Sequence, residues 1–81
     1  MKVIRIELEQ FETKKDIHEF IKKECNFPEY YGCNLDALYD CLCDNPDFAF
    51  EIVHSLKYLK YEEAMIETME DAGCPVALVM E

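Results

Sequence analysis

Asp36 and Asp40 are the residues of this chain whose type and spacing most readily carry chemistry. They stand four apart in Asn34-Leu35-Asp36-Ala37-Leu38-Tyr39-Asp40-Cys41-Leu42-Cys43-Asp44, so on a helix their carboxylates share one face. Leu35, Leu38 and Leu42 recur at helical spacing on the opposite, apolar side. Tyr39 and Cys43 fall on the acidic side, and Asp44 continues its edge. Just ahead runs Phe27-Pro28-Glu29-Tyr30-Tyr31-Gly32-Cys33, an aromatic loop punctuated by Pro and Gly that can fold over the start of the helix. Like charges at this spacing cost roughly 0.2–0.5 kcal/mol, and the helix dipole offsets part of that for Asp36 in the first turn.

Such a pair can serve as acid and base in catalysis, or as two fixed anions for Arg or Lys side chains of a partner, bidentate where Arg is used. Catalysis lacks support: no nucleophile accompanies the pair, no phosphate-binding glycine loop exists in a chain with only two glycines, and His54 ends a strand as a structural residue would. A metal centre lacks support as well. Cys41 and Cys43, two apart on a helix, point in different directions, Cys25, Cys33 and Cys74 have no CxxC spacing, and His18 and His54 are isolated. No catalytic residue, metal or cofactor is therefore expected. Cys25, Cys41 and Cys74 read as small core residues, Cys33 and Cys43 as incidental thiols. The plainer alternative for the acidic face is a solvated surface kept for solubility, and for the tyrosines one core ring and one loop contact.

Charge narrows the partners. Eighteen acids stand against eight Lys and Arg, a formal charge of −10. Nucleic acid and anionic membranes would be repelled, whereas a basic protein would be attracted. The imbalance is local: Glu24 to Leu56 holds seven acids and no Lys or Arg. The N-terminal stretch alternates and has no long apolar core, so it does not read as a signal peptide, and no apolar run reaches membrane-span length. Five cysteines, an odd count, fit free thiols in the cytoplasm rather than a disulfide framework.

The elements that must position the acidic face follow from periodicity. Residues 2–8 alternate with Ile4, Ile6 and Leu8 on one face, a half-buried strand. Thr13 with Asp16 three residues on opens a helix that buries Ile17, Phe20, Ile21 and Cys25 and turns Lys14, Lys15, Lys22 and Lys23 to water. Asn34 caps the second helix, about Leu35 to Asp44, and Asn45-Pro46-Asp47 ends it. Phe48 to Val53 alternates as a second strand. Ser55 caps a third helix over about Leu56–Ala72, with Tyr58, Glu62 (by its stem), Met65 and Met69 as the core stripe and Leu59 and Ile66 beside it. Gly73 and Pro75 stop that helix. The apolar run Val76 to Met80 is a third strand, expected to be well covered. Strands joined through helices pair in parallel. The expectation is one domain over 1–81, a two-layer α/β fold with a three-stranded parallel sheet and the helices packed on one face, its strand order open.

Residues 27–42 resemble the central segment of the barstar-like ribonuclease inhibitors: Pro-Glu-Tyr-Tyr-Gly-x-Asn-Leu-Asp-Ala-Leu-x-Asp-Cys-Leu stands here almost unbroken. A similar first strand and helix and the Gly73-Cys74 pair before the final strand extend the likeness over most of the chain. The resemblance implies an intracellular, non-enzymatic inhibitor of a basic, secreted, barnase-like ribonuclease or related basic enzyme, plugging its active site with carboxylates in place of RNA phosphates. On that basis Asp40 is the principal phosphate mimic and Asp36 its charged companion. Tyr30, with Tyr31 beside it, packs on the partner's catalytic region, and Gly32 allows close backbone approach. Asn34 caps the helix and reaches the partner. Tyr39 stands where the family has a tryptophan, and Cys43 and Asp44 extend the patch. The family's last-helix glutamate falls at Thr68, with Glu67 or Glu70 as substitutes. An acidic module binding some other basic partner would use the same patch and stays open at this point.

Overall fold

The computed structural model describes residues 1–80. Strand β1 (Lys2–Glu7) points Ile4 and Ile6 inward, and Leu8 is buried in the 3-10 turn that follows. Helix α1 (Lys14–Cys25) starts where Thr13 accepts a hydrogen bond from the Asp16 N–H, and it stops at Asn26, which takes the left-handed conformation with φ 56°. Helix α2 (Leu35–Asp44) leads to β2 (Phe48–Val53), then α3 (Leu59–Asp71) and β3 (Val76–Val79). The strands are parallel in the order β1-β2-β3. Register places Ile4 beside Phe50 and Phe50 beside Val76, with Ile6, Ile52 and Leu78 forming the next row. These rows face the helices. Ile17, Ile21, Leu38, Leu42, Met65 and Met69, all fully buried, complete one core with Ile4, Ile6, Phe50 and Ile52. At about 25 cal/mol per Å² of apolar surface removed from water, this core is the main stabilising term.

Two expectations about the C-terminal third are corrected. Strand β3 is not well covered: Leu78 is 46% exposed and Met80 67%. It is an edge strand, hydrogen-bonded only to β2, so its apolar run gains less cover than a central strand would. The third helix does not begin as one continuous α-helix at Leu56 either. The Ser55 hydroxyl accepts from the Lys57 N–H and holds a 3-10 turn over Leu56–Tyr58. The expected stripe of Tyr58, Glu62, Met65 and Met69 is buried, while Leu59 beside it is 46% exposed. The buried Glu62 carboxylate then secures the helix start, accepting from the Ser55 N–H at 2.9 Å and pairing with His54 Nδ1 at 2.7 Å. The far end closes as expected, with Gly73 at φ 92° and the Cys74 N–H bonded to the Met69 carbonyl.

The loop between α1 and α2 is tied down by a residue the sequence pattern left isolated. His18 lies next to Ile17 on α1 and is fully buried. Its Nδ1 is 2.6 Å from the Tyr31 hydroxyl, and its Nε2 meets the Tyr61 hydroxyl. One imidazole therefore joins the loop, α1 and α3. A neutral ring offers one donor and one acceptor, so one tyrosine donates to it and the other accepts. The Tyr31 ring also packs on Phe27 at 5.0 Å between centroids, and Phe27 meets Phe48 of β2 edge to face at 6.5 Å.

Burial lowers the pKa of His18 below its ordinary 6.5, because a charged imidazolium loses its hydration there. The unfolded chain takes up this proton as pH falls through 6.5, and the folded chain does so only at lower pH. Stability is therefore lost on acidification across that window. His18→Gln keeps one donor and one acceptor but cannot titrate. Urea unfolding from pH 7.5 to 5 is expected to show a steeper loss of stability in the wild type than in this variant; equal slopes would contradict a neutral buried His18.

Candidate functional site

The loop reaches α2 through a tight turn. The Tyr31 N–H donates to the Pro28 carbonyl at 3.0 Å, so Glu29 and Tyr30 form the tip. Tyr31 returns to the core while Tyr30 points to solvent, 6% and 86% exposed respectively. Of the two tyrosines expected at the partner contact, only Tyr30 thus presents its ring to solvent; the Tyr31 ring is a structural anchor, in keeping with the plainer alternative of one core ring and one loop ring, and the turn at Pro28 separates the two. Gly32 does not need glycine for its φ angle. A Cβ there would come within 3.3 Å of Asn34 Nδ2, an atom that donates back to the Gly32 carbonyl. Glycine thus leaves room for the helix cap. Cys33 next to it takes φ 53°, and its thiol reaches the Glu19 carboxylate.

Asn34 starts α2 in extended conformation. Its Oδ1 accepts the Ala37 N–H at 2.8 Å, satisfying a backbone donor that the first helical turn leaves open. With Leu38 and Leu42 fully buried and Leu35 half-buried, the remaining faces of the helix are turned outward. Asp36, Tyr39, Asp40, Cys43 and Asp44 are all exposed. No ion pair reaches Asp36, Asp40 or Asp44 among the described residues. The neighbouring Cys43 thiol, then some loss of hydration and the fields of Asp71 and Asp40, raise the pKa of the Tyr39 hydroxyl. Asp71, near the end of α3, is thus the α3 carboxylate whose field reaches this surface at Tyr39, and sequence spacing had not singled it out. Thr68 is half-buried, its hydroxyl donating to the Ala64 carbonyl at 2.8 Å within α3, and Glu67 and Glu70 are exposed.

Tyr30 and Asp40 come together across a groove of about 300 Å³ between the turn and the C-terminal half of α2. Phe27, Pro28 and Cys41 supply apolar wall, and Asp44 stands on the same lining. Burial, then the fields of Asp44 and Asp40, push the Cys41 thiol pKa up. Burial also raises Cys25 beside it to about 12, so neither thiol is a ready nucleophile. A larger hollow of about 530 Å³ on the α1 side of the loop is lined by Lys22 and Lys23 together with Glu19 and Glu29, so it presents no net charge to a basic partner. Among the described residues no group of three His, Cys, Asp or Glu is placed to hold a metal ion, and no helix is long and apolar enough to cross a membrane. All five cysteines are free. What this surface offers chemically is fixed negative charge beside an exposed aromatic ring.

Comparison with known proteins finds both a family and a curated relative that this chain is similar to. A family model described as "Barstar (barnase inhibitor)" matches residues 1–73, a stretch containing all three helices and the first two strands. A protein of Bacillus subtilis (strain 168) named "Putative ribonuclease inhibitor YrdF" is 35% identical over 71 residues, covering 88% of this chain and 76% of that protein.

The helix cap can be tested without any partner. Asn34→Ala leaves the Ala37 N–H without its acceptor and is expected to lower stability by about 0.5–2 kcal/mol. Hydrogen exchange should quicken first at the N-terminal turn of α2. A urea midpoint unchanged from wild type would contradict the capping role.

Proposed function

Because this chain belongs to the barstar family, we propose that it inhibits a basic ribonuclease of the barnase kind by lodging its loop and second helix in that enzyme's active site. The observation that carries this reading is the convergence of Tyr30 and Asp40 on one groove, with Asp36, Asp40 and Asp44 all exposed and in no ion pair among the described residues. An enzyme that binds RNA phosphates does so with Arg, Lys and protonated His. Fixed carboxylates on a rigid helix satisfy the same groups without a scissile bond, so the complex forms and nothing turns over.

Asp40 is the central phosphate mimic in this proposal, and Asp36, one turn earlier, meets a neighbouring cation. Tyr30 packs on the aromatic or imidazole surface of the catalytic centre. Gly32 and Asn34 bring the loop backbone close, while Tyr39, Cys43 and Asp44 border the contact. Tyr31 serves it from behind, through His18. The absence of Lys and Arg from Glu24 to Leu56 removes local repulsion and favours rapid encounter with a basic target. The five free thiols fit a reducing compartment, so we place the protein in the cytoplasm. Support for the role comes from the family's description as a barnase inhibitor and from the ribonuclease-inhibitor name of the Bacillus relative.

Calorimetric titration against barnase compares Asp40→Ala with Glu51→Ala, a change on the far face of the sheet. The expected result is a loss of affinity of at least about 30-fold for the first, in line with truncation of an interface hot spot, and little change for the second. The association rate should also fall as salt rises, because screening acts within about 8 Å at physiological ionic strength. Equal effects of the two substitutions would overturn the phosphate-mimic assignment. Tight binding to a basic protein without nuclease activity, in place of barnase, would replace the ribonuclease by that partner.

A further inference from the structure

We infer that the open edge of β3 pairs with the same edge of a second copy of this chain, joining two three-stranded sheets into one. The inference does not depend on the inhibitory reading, and it uses the flank of α3 that faces away from α1 and its loop.

Three observations carry it. The first is the direction of the backbone. The Pro75 carbonyl accepts from the Phe50 N–H at 2.9 Å, and the Val79 carbonyl accepts from the His54 N–H at 2.8 Å. Alternation along the strand then turns the N–H and C=O groups of Val76, Leu78 and Met80 to the open side of the sheet. A two-fold axis at Leu78 sets two such edges antiparallel, Leu78 opposite Leu78 and Val76 opposite Met80. Each opposed pair is placed to exchange two N–H···O=C bonds. The second observation is composition. Val76 to Met80 holds no charged residue, and Leu78 and Met80 are exposed. Natural edge strands block pairing with charge or proline, and the opposite edge does so: β1 carries Lys2, Arg5 and Glu7. In the two-fold register only apolar residues meet, with Val76, Leu78 and Met80 on the helix side and Ala77 against Val79 on the other. The edge is thus complementary to itself, and it is uncharged in a chain of formal charge −10, whose acidic surfaces would repel a second copy. The third is the flank of α3. Tyr61 faces α1 through His18. At about 100° per residue, Leu59 and Ile66 lie on the opposite flank, above the sheet edge where α3 packs on β3. Leu59 is exposed and Ile66 half-buried. A helix is about 10 Å across and paired strands lie about 4.8 Å apart, so the two α3 helices come side by side in one layer and cover these side chains. Glu63 and Glu70 share that flank and are exposed, so like charges oppose the pairing until salt screens them.

The test is sedimentation equilibrium of the intact protein from about 10 μM to about 1 mM, the range in which a short contact of this kind associates. A monomer–dimer equilibrium is expected. It should tighten as ionic strength rises from about 0.1 M to about 1 M, where the Debye length shortens from about 10 Å to about 3 Å. Amide hydrogen exchange, compared at low and high protein concentration, should slow at Leu78 and Met80, whereas Ala77 and Val79, turned to β2, should keep their rates. Met80→Lys changes an exposed side chain, and circular dichroism and the urea midpoint verify its fold. It should weaken dimerisation by about tenfold or more, because charge then enters an apolar contact. Glu63→Gln should strengthen dimerisation at the lower salt. A monomer at every concentration and ionic strength, association that weakens with salt, slowed exchange on α2 in place of Leu78 and Met80, or a Met80→Lys variant that pairs like wild type would each overturn the inference.

Discussion

The burial of Tyr31 on a neutral imidazole is the constraint from which the surface of this protein follows. A loop that must carry an exposed aromatic ring faces an entropic problem, since a free loop samples many orientations and each ordered residue costs roughly 1–2 kcal/mol of backbone freedom. Here the cost is met inside the core. The Tyr31 hydroxyl reaches His18, its ring packs at a tilt against Phe27, and Phe27 packs on β2. With Tyr31 fixed, the Pro28–Tyr31 turn leaves its neighbour Tyr30 at the tip, facing solvent. The imidazole also touches Tyr61, so the position of the loop is referred to α3 as well as α1. An ordered surface of this kind binds with less entropy left to lose.

The charge on α2 is arranged in the opposite spirit, with no ion pair reaching its acids among the described residues. Surface pairs contribute about 0–1 kcal/mol each, so the lack of such pairs at Asp36, Asp40 and Asp44 sacrifices little stability. The core of Leu38, Leu42, Met65 and Met69 beneath them is fully buried and large enough to carry that cost. Free carboxylates are worth more at an interface, where water is displaced and their attraction to a cation is less screened. The division of labour is plain along the helix: its leucines hold the fold, its N-cap Asn34 fixes the entry, and its acids are available to another molecule.

Much of this was legible in the amino-acid sequence because it is local. Alternation located the strands, Thr13 and Asn34 announced helix starts, and Gly73 marked a helix end. The spacing of Asp36 and Asp40 placed them on one face before any coordinates. What escaped was what depends on tertiary neighbours. His18 sat beside the Ile17–Ile21 stripe, and its spacing of three to Ile21 and seven to Cys25 was a usable hint. Nothing in the sequence announced tyrosines from two distant segments as its partners. Tyr30 and Tyr31 are identical in type, and only the turn hydrogen bond decides which one is core. The apolar run of β3 signalled a strand correctly, but not that the strand would lie at the sheet edge. The groove that joins Tyr30 to Asp40 and Asp44 is made by two elements approaching, so no linear pattern contains it.

Inhibition by phosphate mimicry requires that this acidic helix occupy the place of RNA. Steady-state inhibition of barnase measured over a range of RNA substrate concentrations addresses that directly. Occupation of the phosphate-binding groups predicts competitive behaviour: apparent KM rises with inhibitor concentration while kcat is unchanged. A fall in kcat at constant KM, or full cleavage in the presence of excess protein, would contradict it.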